Sequence, residues 1–140
     1  MTHAEYFSFI RSGLRQKSRR WAPVYLAKQL ARRPNESDNK RLKWEFQCNA
    51  CKNWFPDKET VVDHIIDCGS LKGYDDLVDF VKRLFCEVDG FQILCKPCHK
   101  IKTNEATQSK KEARQQTKSA SKASVGNTKS KKPARSTKRS

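Results

Sequence analysis

The sequence has 140 residues, 36% hydrophobic and 32% charged, which suits one modest domain with tails and fills a core over only part of the chain. Its 30 Lys and Arg against 15 Asp and Glu give a formal charge of +15, an excess that favours a polyanionic partner, nucleic acid above all. No stretch is long and apolar enough to span a bilayer, the N-terminus lacks the cationic start and apolar run of a secretory signal, and no amphipathic membrane anchor stands out, so the expected setting is cytoplasmic and away from membranes.

Three regions follow one another. Residues 1–42 read as a basic helical extension. Tyr6, Phe9, Ile10 and Leu14 recur at helical spacing, and Gly13 weakens the end of that helix. A second helix is predicted from Pro23, tolerated in a first turn, with Val24, Ala27, Leu30 and Ala31 on one face and Pro34-Asn35 as its stop. Arg11, Arg15, Lys17, Arg19, Arg20, Arg32 and Arg33 make these helices basic. They read either as an accessory DNA-contacting element, with Arg19, Arg20, Arg32 and Arg33 on phosphates, or as an ordinary helical hairpin with a solvated charged face.

Residues 43–115 hold all six cysteines. Trp44-Glu45-Phe46-Gln47 alternates as a strand does. Trp54-Phe55 and Val61-Val62 flank the polar turn Pro56-Asp57-Lys58 as a predicted hairpin. Tyr74 to Cys86 form the clearest helix, with Leu77, Phe80, Val81, Leu84 and Phe85 as a buried stripe and Asp75 and Asp76 in the first turn, where the helix dipole favours anions. Asp89-Gly90 reads as a turn, Phe91 to Leu94 as a short strand, and a last helix is predicted from near Pro97. Residues 116–140, rich in Lys, Ser, Thr and Ala, read as a disordered tail that adds sequence-independent attraction to phosphates.

Cys48-Asn49-Ala50-Cys51 and Cys95-Lys96-Pro97-Cys98 are two C-x-x-C pairs, each able to clamp one edge of a tetrahedral Zn²⁺ ion. Both follow predicted strands, where a tight turn can aim two sulfurs at one ion. In a reducing compartment paired cysteines argue for metal; buried thiols or disulfides are the alternative. Four thiolates leave no open position, so such a zinc would be structural. No βαβ pattern surrounds either pair, which disfavours a thioredoxin-like redox role. Cys68 and Cys86 read as small buried hydrophobes.

Beside the knuckles stand Asp63-His64, between Val61-Val62 and Ile65-Ile66, and His99, directly after Cys98. Adjacent strand residues point to opposite faces, so Asp63 and His64 need a local twist or a loop to serve one site. The order C-x-x-C, then Asp63-His64-Ile65, then Leu94-Cys95-x-x-Cys98-His99 followed by Lys102-Thr103 resembles the HNH endonucleases, small examples of which are common in bacteriophage genomes. The resemblance covers roughly the middle half of the chain. It implies an α+β domain of the ββα-metal type, a two-stranded hairpin packed on a helix around one divalent cation. It implies that Asp63 and His99 ligate that cation, Mg²⁺ or another divalent ion, and that His64 is the general base in hydrolysis of DNA phosphodiester bonds. Lys100 and Lys102 join the basic residues expected on DNA, no small-molecule substrate is expected, and the partners implied are phage DNA-processing proteins in a host cytoplasm.

One position departs from the family. Its middle Asn stands five positions before the first cysteine of the second knuckle, where this chain has Gly90, with Asp89 beside it as the substitute. A non-catalytic, zinc-stabilised DNA-binding protein is the second reading. An RNA- or protein-binding zinc module is the third, and it predicts that Asp63 and His99 lie too far apart to share an ion.

Overall fold

Helix α1 (His3–Ser18) starts in a capping box. In the computed structural model, which describes residues 1–125, the backbone N–H of Glu5 donates to Thr2 Oγ1 (3.2 Å) and that of Thr2 to the Glu5 carboxylate (2.6 Å). Phe7 is the residue this helix buries most deeply, with Ile10 and Leu14 packed alongside. Helix α2 (Ala22–Leu30) opens with Pro23 in its first turn and buries Ala27.

Helix α2 stops short of the predicted Pro34. Arg32 and Arg33, expected on a helix, form strand β1 (Arg32–Pro34) instead. Proline disfavours the helical conformation in the residue before it, so Arg33 is pushed towards an extended backbone, and an edge strand tolerates the N–H that Pro34 lacks. Strand β1 pairs antiparallel with β2 (Trp44–Gln47), which pairs with β3 (Trp54–Phe55). Trp54-Phe55 therefore does not form the predicted hairpin with Val61-Val62. A 3-10 turn at Asp57–Glu59 carries the chain out of this sheet into β4 (Thr60–His64), whose partner is β5 (Phe91–Cys95), with Asp63 opposite Gln92 and His64 opposite Phe91.

Residues 65–90 lie between these paired strands. They hold a 3-10 turn (Tyr74–Asp76), helix α3 (Leu77–Leu84) and a second 3-10 turn (Val88–Gly90). The apolar stripe of α3 meets α1 in a core of Phe7, Cys68, Leu71, Phe80 and Leu84, with Leu77 and Phe85 at its margin. Trp21 ties the start of α2 to the end of α3: its indole N–H donates to the Cys86 carbonyl (2.8 Å) and its ring meets Phe85 edge-on at 5.7 Å. A second buried cluster of Cys48, Leu94 and Cys95, flanked by Phe55, Val61 and Cys98, lies on the β strands.

The chain divides into two units, Met1–Ile101 and a second that begins at Lys102. Helix α4 (Lys96–Val125) starts in the first and continues into the second. Residues 116–125, expected to be disordered, are helical. They continue a stretch from Cys98 with neither Gly nor Pro to break a helix, rich in Ala, Lys, Gln, Glu and Arg, which favour one. The expected tail beyond Val125 lies outside the described residues. Among the described residues, no helix is long and apolar enough to cross a membrane.

Candidate metal centre

Strand β2 delivers Cys48, and the turn after it brings Cys51 back. The Lys52 N–H donates to the Cys48 carbonyl (2.9 Å) and the Cys48 N–H to the Asn53 carbonyl (2.9 Å). Lys52 closes this turn with φ +62°, a conformation that usually falls to glycine. Strand β5 ends in Cys95, and the first turn of α4 presents Cys98. The Asn49 N–H donates to the Ile93 carbonyl (2.7 Å), so the first knuckle is fastened to the strand that carries the second.

The four sulfurs lie within 4.8 Å of one another, and those of Cys51 and Cys95 are 4.0 Å apart. A tetrahedral Zn²⁺ with bonds of about 2.3 Å sets its sulfurs roughly 3.8 Å apart. The cluster can hold a metal ion such as zinc, and the donor set fits a structural ion. Burial opposes ionisation of Cys48, but backbone N–H groups of Cys51, Cys95 and Ala50 outweigh it and hold this thiol down to about 6. Cys98 is pushed up to about 12, first by its hydrogen bond with Cys95 and then by burial, and burial raises Cys95. Cys48 is thus favoured as a thiolate beside the raised thiols of Cys95 and Cys98, whose protons must leave when a cation binds. The two remaining cysteines are unbridged. Cys68 is buried in the helical core, and Cys86 is half-buried against Gly90.

A second constellation lies on β4, β5 and the start of α4. Asp63 Oδ1 stands 3.7 Å from His99 Nε2, with 18% of the Asp63 side chain and 41% of the His99 side chain exposed, so both can be reached from solvent. Two ligand atoms each about 2.1 Å from one hard cation lie roughly 3 to 4 Å apart. This spacing, and the pairing of a carboxylate with an imidazole, fit a divalent ion. The other Asp63 oxygen, Oδ2, accepts from Gln92 Nε2 (3.1 Å). Gln92 Oε1 accepts from Asn49 Nδ2 (3.1 Å), and Asn49 Oδ1 accepts from Lys52 Nζ (3.2 Å). Sequence reasoning passed over Gln92, Asn49 and Lys52. The signal for Gln92 was its place as the one polar residue between Phe91 and Ile93.

His64 is not on the face that carries Asp63. Its cross-strand neighbour is Phe91, whose ring centroid is 4.8 Å away, and its Nε2 lies 2.9 Å from the Leu84 carbonyl of α3. A carbonyl can only accept, so Nε2 carries the hydrogen in this contact. A Cβ added to Gly90 would stand 2.5 Å from Cys86 Sγ and 2.9 Å from Cys86 Cβ, so no side chain fits there without displacing α3's end. Gln92 reaches Asp63, while Asp89, expected to stand in for the family's Asn, is exposed on the preceding turn.

The predicted DNA-contacting residues divide into two kinds. Arg19, Arg20 and Lys100 are exposed, the first two just beyond α1. Arg32 lies over the Trp44 ring at 4.1 Å, and Arg33 lies over Trp54 at 4.0 Å while pairing with Glu45 (3.1 Å) and Glu36 (3.2 Å). Those contacts give Arg33 a framework role in the first sheet. Lys102 begins the second unit. No protein-family model matches the chain, nor does any curated protein or solved structure.

Proposed function

We propose that this protein is a zinc-stabilised DNA endonuclease of the HNH type, with a ββα-metal site formed by β4, β5 and the first turns of α4. The observation that carries this reading is the 3.7 Å approach of Asp63, on the strand paired with β5, and His99, on the helix that follows β5 and carries Cys98 of the four-cysteine cluster. Asp63 and His99 would hold a divalent cation, Mg²⁺ or a similar ion. When bound, such an ion supplies charge stabilisation at a scissile phosphate. His64, next to Asp63 on β4, would be the general base that takes a proton from the attacking water. The formal charge of +15 and the exposed Arg19, Arg20 and Lys100 suit DNA as the partner, with binding that weakens as salt rises.

The test is cleavage of supercoiled plasmid with Mg²⁺ or Mn²⁺. Wild type should nick it. His64→Ala should lose about 100-fold or more, the typical worth of a general base, while zinc content stays unchanged. Equal traces for wild type and variant would remove His64 from the chemistry.

A second reading, a non-catalytic zinc module that binds DNA, is favoured by two observations: Gly90 leaves no room for the family's Asn, and His64 faces away from Asp63. It predicts salt-sensitive binding of the plasmid with no nicking under either ion.

A further inference from the structure

The hydrogen-bonded row Lys52, Asn49, Gln92, Asp63 joins the first cysteine knuckle to the Asp63–His99 pair, and its chemistry allows one direction only. An ammonium can only donate, which turns Oδ1 of Asn49 towards Lys52. Asn49 Nδ2 must then donate to Gln92, which turns Gln92 Oε1 towards Asn49 and leaves Nε2 as the donor facing Asp63. A carboxylate can only accept, so the row closes without conflict at Asp63 Oδ2. The amide orientations at both ends are thereby mutually fixed.

This matters because the last torsion of an aspartate is soft and broad. With Oδ2 held by Gln92, Oδ1 is the oxygen turned to His99. Asn49 is itself immobilised, since it lies between Cys48 and Cys51 and its N–H is bonded to the Ile93 carbonyl. Gln92 and Asp63 are direct partners across β4 and β5, so the contact follows from strand register.

We propose that Gln92 is a positioning residue for Asp63, fixed in turn by Asn49 of the first cysteine knuckle, so that the four-cysteine site hands its geometry to the pair that holds a divalent cation. The inference rests on the endonuclease reading for the existence of that cation site. It assigns to Gln92 and Asn49 a part that neither the cysteine spacing nor the Asp-His motif assigns.

The experiment measures Mn²⁺ uptake by the full zinc-loaded chain, read from the electron paramagnetic resonance signal of free Mn²⁺, for wild type, Gln92→Met and Asn49→Ala. Methionine keeps the length and packing of Gln92 and removes the donor, so a purely structural role would survive it. Gln92→Met should weaken Mn²⁺ binding by about 10-fold or more, the usual cost of losing a ligand's orienting partner. Asn49→Ala should weaken it by a smaller factor, and zinc per chain and thermal midpoint should match wild type in both. Uptake by Gln92→Met equal to that of wild type overturns the inference and leaves the endonuclease reading standing. A wild type that takes up no Mn²⁺ overturns both.

Discussion

The helical core and the cysteine cluster share the first unit but are held by different physics. Around Phe80, which is fully buried, α1, α3 and the segment before α3 bring five buried residues and their apolar neighbours together, and removal of that surface from water is sufficient cause for cohesion. Around Cys48 the strands are short, β3 has two residues, and only Leu94 among the buried members is an ordinary hydrophobe. A region so thin in apolar surface would gain from a metal cross-link what the other gains from burial, and its four cysteines can hold one.

The largest effect should come from removing the metal. Structural zinc contributes on the order of 10 kcal/mol in small zinc-dependent peptides, comparable to the whole stability of a domain. Chelation, or Cys95→Ser, should abolish the protection of the strand amides around Cys48 from hydrogen exchange while the helical core keeps its circular dichroism. Unchanged strand protection in chelator would refute the dependence. Next comes Phe80→Ala, expected to cost about 3 to 5 kcal/mol in urea unfolding, with zinc per chain unaltered. If zinc were lost along with stability, the two regions would have to be one. Gly90→Ala should cost about 1 to 3 kcal/mol, because its methyl would meet Cys86 where the helical core joins β5. A neutral result would mean that the turn yields freely. The smallest effect is Thr2→Ala, which deletes the side-chain half of the α1 cap for about 1 kcal/mol and should leave Mn²⁺ uptake untouched.

These two regions were also unequally legible in the sequence. The α3 stripe and both C-x-x-C pairs are local patterns, with periodicity or spacing contained within a few residues, and the structure carries them as a helix and as one sulfur cluster. The choice of strand partner is not local. Trp54-Phe55 sits next to Val61-Val62 in sequence, yet each pairs with a more distant strand, the first with β2 and the second with β5. Arg32 and Arg33 satisfied a helical pattern, but Pro34 and the tryptophans they stack on decided for a strand. Asp63 and His99 were singled out from residue order alone, and their approach to 3.7 Å depends on a pairing that the sequence does not announce. Gln92 went unnoticed because its significance exists only once β5 has found β4.

That pairing has a kinetic consequence. Strands β4 and β5 are separated by residues 65–90, so they cannot zip up from a tight turn as a hairpin would. The chain must first close a long loop, whose entropic cost is repaid only after contacts form across it. Packing of α3 onto α1 shortens the span that remains to be closed. Refolding of the zinc-loaded protein should therefore show helical signal gained before the β4–β5 amides become protected from hydrogen exchange, with Asp63 and His99 meeting among the final events.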